Sequence, residues 1–168
     1  DLVKKRVKDP KIWVLVEFLG SLNQFLASLK DTAVTIYGEN LIKEIRDVNL
    51  SMFDKVKLPL QPYYLLFLSL LIVAFDARLA MRHAIKACLM ESESDLMWLN
   101  EKIGSYQKDE HLYEKLFTGK DFEIRHLRKT MELRAHAHKM DVKKSQAFDY
   151  IVESYRFVAS SHAALLSR

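Results

Sequence analysis

An all-α fold is what this sequence predicts: a single-domain helical bundle of five to seven helices around a buried central helix. Three observations predict it. Only 4 glycines and 3 prolines occur in 168 residues, so few turns can be built and long elements joined by short loops follow. Apolar residues recur at three- and four-residue steps along most of the chain. No stretch alternates apolar and polar residues as a half-buried strand would. At 49% hydrophobic and 29% charged residues, the composition suits one folded domain over 1–168 with a real core and argues against disorder.

The opening DLVKKRVKDP reads as a basic arm over residues 1–9. It has no signal-peptide character, and it starts without Met, as expected of a segment of a longer chain. Asp9-Pro10 is an N-cap followed by proline at the first helical position. Leu15, Phe18, Leu19, Leu22, Phe25, Leu26 and Leu29 then give an amphipathic helix over about 10–29. Leu41, Ile45, Val48, Met52 and Val56 form a second stripe, which ends before Leu58-Pro59-Leu60-Gln61-Pro62.

Pro62 can open a third helix running to about 91. Its first part, YYLLFLSLLIVAF over 63–75, is too short for a membrane span of about 20 residues. A helix apolar on every side is expected to be covered on every side, so 64–75 is placed at the centre, with Leu66, Leu70 and Ile72 inaccessible. Ser92-Glu93-Ser94-Asp95 offers caps for a fourth helix carrying Leu96, Leu99 and Ile103. A short helix over 109–117 follows. Asp121 then caps a basic helix to about 139, and Asp141 caps the last one. The expected buried face of that last helix is Phe148, Ile151, Val152, Tyr155, Val158 and Ala159.

Charge is uneven. Residues 125–144 hold seven Lys and Arg against two carboxylates, a net +5, and residues 1–11 hold +3, within a chain of +4. Concentrated positive charge attracts phosphate-bearing partners. The single cysteine, Cys88, lies in an apolar pattern and reads as a buried thiol in a reducing, cytoplasmic setting.

The chemistry that the motifs admit is narrow. Glu123 and His126 make one Glu-x-x-His pair where a dinuclear bundle needs two, and no other metal or cofactor set is apparent, so none is expected. There is no Gly-x-Ser-x-Gly and no glycine-rich phosphate loop. What remains is Arg and His. Within RKTMELRAHAHKMD, residues 128–141, Arg134 and His138 are four apart and would share a helix face. A histidine to move protons and an arginine to stabilise a phosphorane suffice for RNA cleavage through the 2′-hydroxyl. Arg78 and His83 are a second such pair.

The passage LRKTMELRAHAHKMDVKKSQAFDYIVESYRFV, 127–158, resembles the abortive-infection branch of the HEPN superfamily, with Ala137, His138 and Asp141 matching its pattern. The resemblance implies an all-α bundle that tends to form homodimers and a metal-independent ribonuclease or its inactive RNA-binding relative. In that reading His138 is the general acid and base and Arg134 holds the scissile phosphate. Arg125, Arg128, Lys129, His136 and Lys139 contact the RNA backbone. The chain departs from the family pattern in having three residues, not four to six, between Arg134 and His138. The competing reading is a non-catalytic helical interaction module, such as a viral or phage structural protein or a partner-binding domain.

Overall fold

The computed structural model describes residues 51, 56–58, 60–98, 121–136 and 139–166. The chain divides into two compact units, 1–58 and 59–168. Among the described residues, four helices fall in the second: α1 (Leu60–Ile72), α2 (Ala77–Trp98), α3 (Asp121–His136) and α4 (Lys144–Leu166). No strand occurs among the described residues, so this part of the chain is all-α. The basic arm over 1–9, the helices expected over 10–29 and 109–117, and nearly all of the one over 41–56 lie outside the described residues.

The central elements are α2 and α4, each of which packs against the other three helices. This corrects the expectation of a buried centre at 64–75. Helix α2 carries Ala77, Ala80, Ala84, Ala87 and Cys88 in its buried face, and such small side chains let neighbouring helices approach closely. Helix α1 buries one stripe only, Pro62, Leu66 and Ser69. Leu66 is fully buried as expected, whereas Leu70 and Ile72 are half-buried. Pro62 is tolerated because it falls in the first turn, where backbone N–H groups have no helical partner.

The long third helix expected over 62–91 is in fact two. Residues 73–75 form a turn, with the Phe75 and Asp76 amides both donating to the Ile72 carbonyl, at 2.8 and 2.9 Å. Asp76 then caps α2 by accepting the Leu79 amide through Oδ1 at 2.8 Å. Conversely, Ser92–Asp95 does not start a helix but lies inside α2. Ser92 and Ser94 donate their hydroxyls to the carbonyls of Cys88 and Met90, at 2.9 and 2.7 Å. Back-bonding of this kind satisfies a serine within a helix, so it need not act as a cap.

Helix α3 covers Asp121–His136 within the span expected for the basic helix, and the residues flanking it, 120 and 137–138, lie outside the described ones. Helix α4 starts at Lys144, too far along for Asp141 to cap it. Gln146 Oε1 instead accepts the Lys143 amide at 3.1 Å, the reaching-back half of a capping box. The buried face of α4 is also rotated from the expected one. Ala147, Tyr150, Ile151, Ser154, Phe157, Val158 and Ser161 are buried; Phe148, Val152 and Ala159 are exposed. Ser154 and Ser161 can face inward because each has a partner there, the Tyr150 carbonyl and the Asp95 carboxyl.

Truncation should separate the two sides of α1. Leu66→Ala is expected to lower unfolding stability by about 2–5 kcal/mol. Leu71→Ala, on the exposed side, should stay within about 0.5 kcal/mol in the same urea titration.

Candidate functional site

The basic residues of α3 sort by helical angle, at about 100° per residue. Arg125, Arg128, Lys129 and His136 fall within one broad face, all exposed. Glu132 shares that face. Arg134 is exposed too, but stands about 180° round the helix from Arg125. His138 lies outside the described residues, and so does its relation to Arg134. Lys139 is exposed just beyond the helix. The α3 face is not purely cationic. Lys129 Nζ donates to Glu153 Oε2 on α4 at 2.8 Å and lies over the Tyr150 ring at 5.5 Å. Beside it, Arg156 of α4 stacks over Phe122 at 4.2 Å. Arg78 and His83, five residues apart on α2, point about 140° from each other.

Beneath this face lies a buried network absent from any sequence spacing. His126 stands among Phe122, Tyr150 and Phe157, with ring centroids 5.1–5.8 Å away. Its Nε2 is 3.5 Å from Cys88 Sγ and 3.2 Å from Ser154 Oγ, and its Nδ1 is 3.7 Å from Glu153 Oε2. Thr130 Oγ1 and Tyr150 Oη are 2.7 Å apart alongside. A thiol, an imidazole and a carboxylate in this order have the outline of a cysteine nucleophile with its base.

The electrostatics oppose that chemistry. Cys88 is fully buried, and burial pushes its thiol up to about 12, despite the hydroxyls of Ser154, Thr130 and Tyr150 pulling the other way. Burial also pulls His126 down to about 4, against the attraction of Glu153. At neutral pH the pair is a neutral thiol and a neutral imidazole, whereas the reactive species is a thiolate. Cys88 should therefore resist a disulfide reagent such as DTNB at pH 8 while the chain is folded, and react fully in denaturant. Rapid labelling of the folded chain would show that the thiol is accessible and active.

A second buried network joins α1, α2 and α4. Glu91 and Asp95, one turn apart on α2, are both fully buried. Ser161 donates to Asp95 Oδ2. His162 Nε2 lies 2.9 Å from Glu91 Oε1, and its Nδ1 lies 3.4 Å from the Tyr63 hydroxyl. Both oxygens of Glu91 and Oδ1 of Asp95 have no directed hydrogen bond. Burial raises Glu91 to about 8 and raises Asp95 well above the carboxylate range, with the Glu91 charge as a further cause for Asp95. Burial lowers His162, with Asp95 opposing. Protonation is how the fold accommodates these carboxyls, since a neutral acid avoids most of the desolvation cost.

The Glu123–His126 pair is engaged elsewhere: Ser160 donates to Glu123 while His126 joins the thiol network. Among the described residues, no group of three or more His, Cys, Asp or Glu side chains is arranged to hold a metal ion.

The most prominent surface feature is apolar. Leu60, Tyr64, Phe67 and Leu71 form a row along α1, each 54–62% exposed, and Phe75 in the following turn is 88% exposed. Helices α1 and α4 run antiparallel: Tyr63 meets Tyr155 and His162, while Lys144 Nζ donates to the Ala74 carbonyl at 2.5 Å. Half-exposed Phe148 and Val152 follow Lys144 by one and two turns of α4, so they extend the row sideways. No helix among the described residues is long and apolar enough to cross a membrane.

These features define an all-α unit with an apolar face and a mixed basic face. No protein-family model matches the chain, and neither a curated protein nor a solved structure is significantly similar to it.

Proposed function

We propose that this chain is a helical interaction module, which works by holding a partner rather than by transforming a substrate. The observation that carries this reading is the exposed row Leu60–Tyr64–Phe67–Leu71 with Phe75. Contiguous apolar surface of this kind marks a contact site when it exceeds what an ordinary monomer leaves in water. The neutrality of the Cys88–His126 pair supports the absence of nucleophilic chemistry there.

A contact face must be surface, not core, and that is testable. Leu71→Asp should leave helix content and the unfolding midpoint close to the parent, while Leu66→Asp should unfold the chain. Loss of structure in both variants would make the row part of the core and end this reading.

The α3 face favours a second reading, binding of RNA in the manner of a HEPN-like protein. Arg125, Arg128, Lys129 and His136 share one exposed face, to which a phosphate backbone is complementary. Arg128→Glu with Lys129→Glu should weaken binding of a single-stranded RNA and reduce its salt dependence. Arg134→Glu, on the other side of the helix, should matter less. The ribonuclease form of this reading rests on Arg134 and His138. It is tested by incubating the chain with RNA in EDTA, where 2′,3′-cyclic ends would establish catalysis and intact RNA would leave binding alone.

A further inference from the structure

We infer that the apolar face of α1 is the contact surface between two copies of this chain, packed antiparallel about a two-fold axis near Phe67. The inference rests on the docking reading above and names its partner.

Three observations lead to a second copy. The first is the spacing of the row. Leu60 and Phe75 are equidistant from the point between residues 67 and 68, and so are Tyr64 and Leu71. An isologous contact requires a surface that is complementary to itself under a two-fold rotation. Laid antiparallel on its copy, this row brings Leu60 against the copy's Phe75, Tyr64 against its Leu71, and Phe67 to the axis. Each large side chain thus meets another apolar one.

The second observation is charge. The segment from Leu58 to Phe75 contains no Asp, Glu, Lys or Arg. Nothing on α1 would face its own like charge across the axis, which is the usual penalty of self-contact. An acidic or basic partner would find no opposite charge on this helix to recognise.

The third is area. The row, widened by Phe148 and Val152, comprises seven large side chains, each about half exposed or more. Side chains of this size bury roughly 150–250 Å² each when aromatic, so the face offers on the order of 800 Å². A stable interface of standard size takes about 800 Å² from each partner. The largest apolar patch on an ordinary monomer is roughly 300–600 Å².

The intact chain tests this directly by sedimentation velocity over a hundredfold concentration range. A dimer is expected, and Phe67→Asp should convert it to a folded monomer with unchanged circular dichroism. Cysteine placement then tests the axis. Phe67→Cys should form a disulfide-linked dimer on mild oxidation, because residue 67 meets its own copy. Leu60→Cys alone should not, since its two copies would stand about 22 Å apart along the helix at 1.5 Å per residue. A mixture of Leu60→Cys with Phe75→Cys should cross-link. The native Cys88 is buried and should stay silent.

A chain that stays monomeric at every concentration overturns the inference. If Leu71→Asp is then folded, the face still serves a different partner; if it is unfolded, the docking reading falls as well. Co-sedimentation of the monomer with phosphatidylcholine–phosphatidylserine vesicles, lost in Phe67→Asp, would overturn the second copy in favour of a lipid surface. Dimers that cross-link Leu60→Cys to itself would overturn the antiparallel register.

Discussion

Glu91→Gln should make the chain more stable than the parent at pH 8 and should flatten its stability profile between pH 5 and 8. The cause is a carboxyl that folding forces to keep its proton. Burial raises Glu91 from an ordinary 4.5 to about 8. Below pH 4.5 the group is protonated both folded and unfolded, and it adds no pH dependence. Above that, the unfolded chain releases the proton and the folded chain does not. Unfolding is then favoured by each further unit of pH, until the folded group also ionises near 8. A difference of one unit corresponds to about 1.4 kcal/mol, so the loss across this window is on the order of a few kcal/mol. Glutamine keeps the shape and the hydrogen-bonding capacity but has no proton to release. Urea unfolding at pH 5, 6.5 and 8 measures the slope. A variant whose slope matches the parent's would mean that Glu91 is ionised in the folded chain.

The neighbours sharpen the expectation. Asp95 is raised as well, first by burial and then by the charge of Glu91, so an ionised Glu91 makes the Asp95 proton harder to release. His162 shifts in the opposite sense, downward by burial. Its contribution is present above the ordinary histidine pKa and is lost as pH falls. Removing Glu91's titration leaves the histidine contribution in place, and the pH dependence of the variant should depart from the parent's above about pH 4.5, with the largest difference near pH 8.

Glu91 and Asp95 also show what the sequence does and does not disclose. Their four-residue spacing is plain, and a helix places them on one face. Adjacent acids on a helix with serines between them look like a solvated or capping segment. Only the packing of α4, which brings Ser161 and His162 over them, makes the segment an interior one. The same cause shifted the expected face of α4. Apolar periodicity passes over polar residues, but two of the inward positions are Ser154 and Ser161, whose hydroxyls are satisfied across or along the helix. Phe148 and Val152 fit the apolar period better than these serines, yet both are half exposed, because apolar character alone does not bury a side chain.

The all-α character was legible for a different reason. It depends on local spacing and on the scarcity of glycine and proline, both of which act over a few residues. The break at 73–76 was marked only by Asp76, one cap within an otherwise unbroken apolar run. The outward side of α1 was not legible at all. Leu71 and Leu66 are the same residue type on the same helix, and only the neighbours distinguish them. The pairing of Cys88 with His126, across 38 positions, has no local signal either.

His126→Ala should cost about 3 kcal/mol or more at pH 7, the largest loss expected from any polar residue of the α3–α4 contact. The imidazole fills the space between Phe122, Tyr150 and Phe157, and its removal leaves a cavity there. It also removes one partner of the Cys88 thiol and one partner of Ser154. The intact residue sets the acid limit of the fold. The Ser154 hydroxyl donates to the Tyr150 carbonyl, so its oxygen is left to accept from Nε2, and Nδ1 is the nitrogen that acid must protonate. That nitrogen faces Glu153, which favours the cation, but Lys129 holds the same carboxylate and opposes it. Burial, to which Lys129 adds, outweighs Glu153 and lowers His126 from 6.5 to about 4. The unfolded chain therefore binds this proton near 6.5 and the folded chain only near 4. Stability is complete above the higher value and falls as pH drops through the window between them, by roughly 3 kcal/mol. Lys129→Met should raise the His126 pKa, readable from its ring-proton shifts by NMR, and so narrow the window over which acid removes stability and move the acid transition to lower pH. If His126 titrates near 6.5 in the folded parent, or if Lys129→Met lowers its pKa, then the imidazole is not held neutral between α2 and α4, and the acid limit of the fold lies in another group.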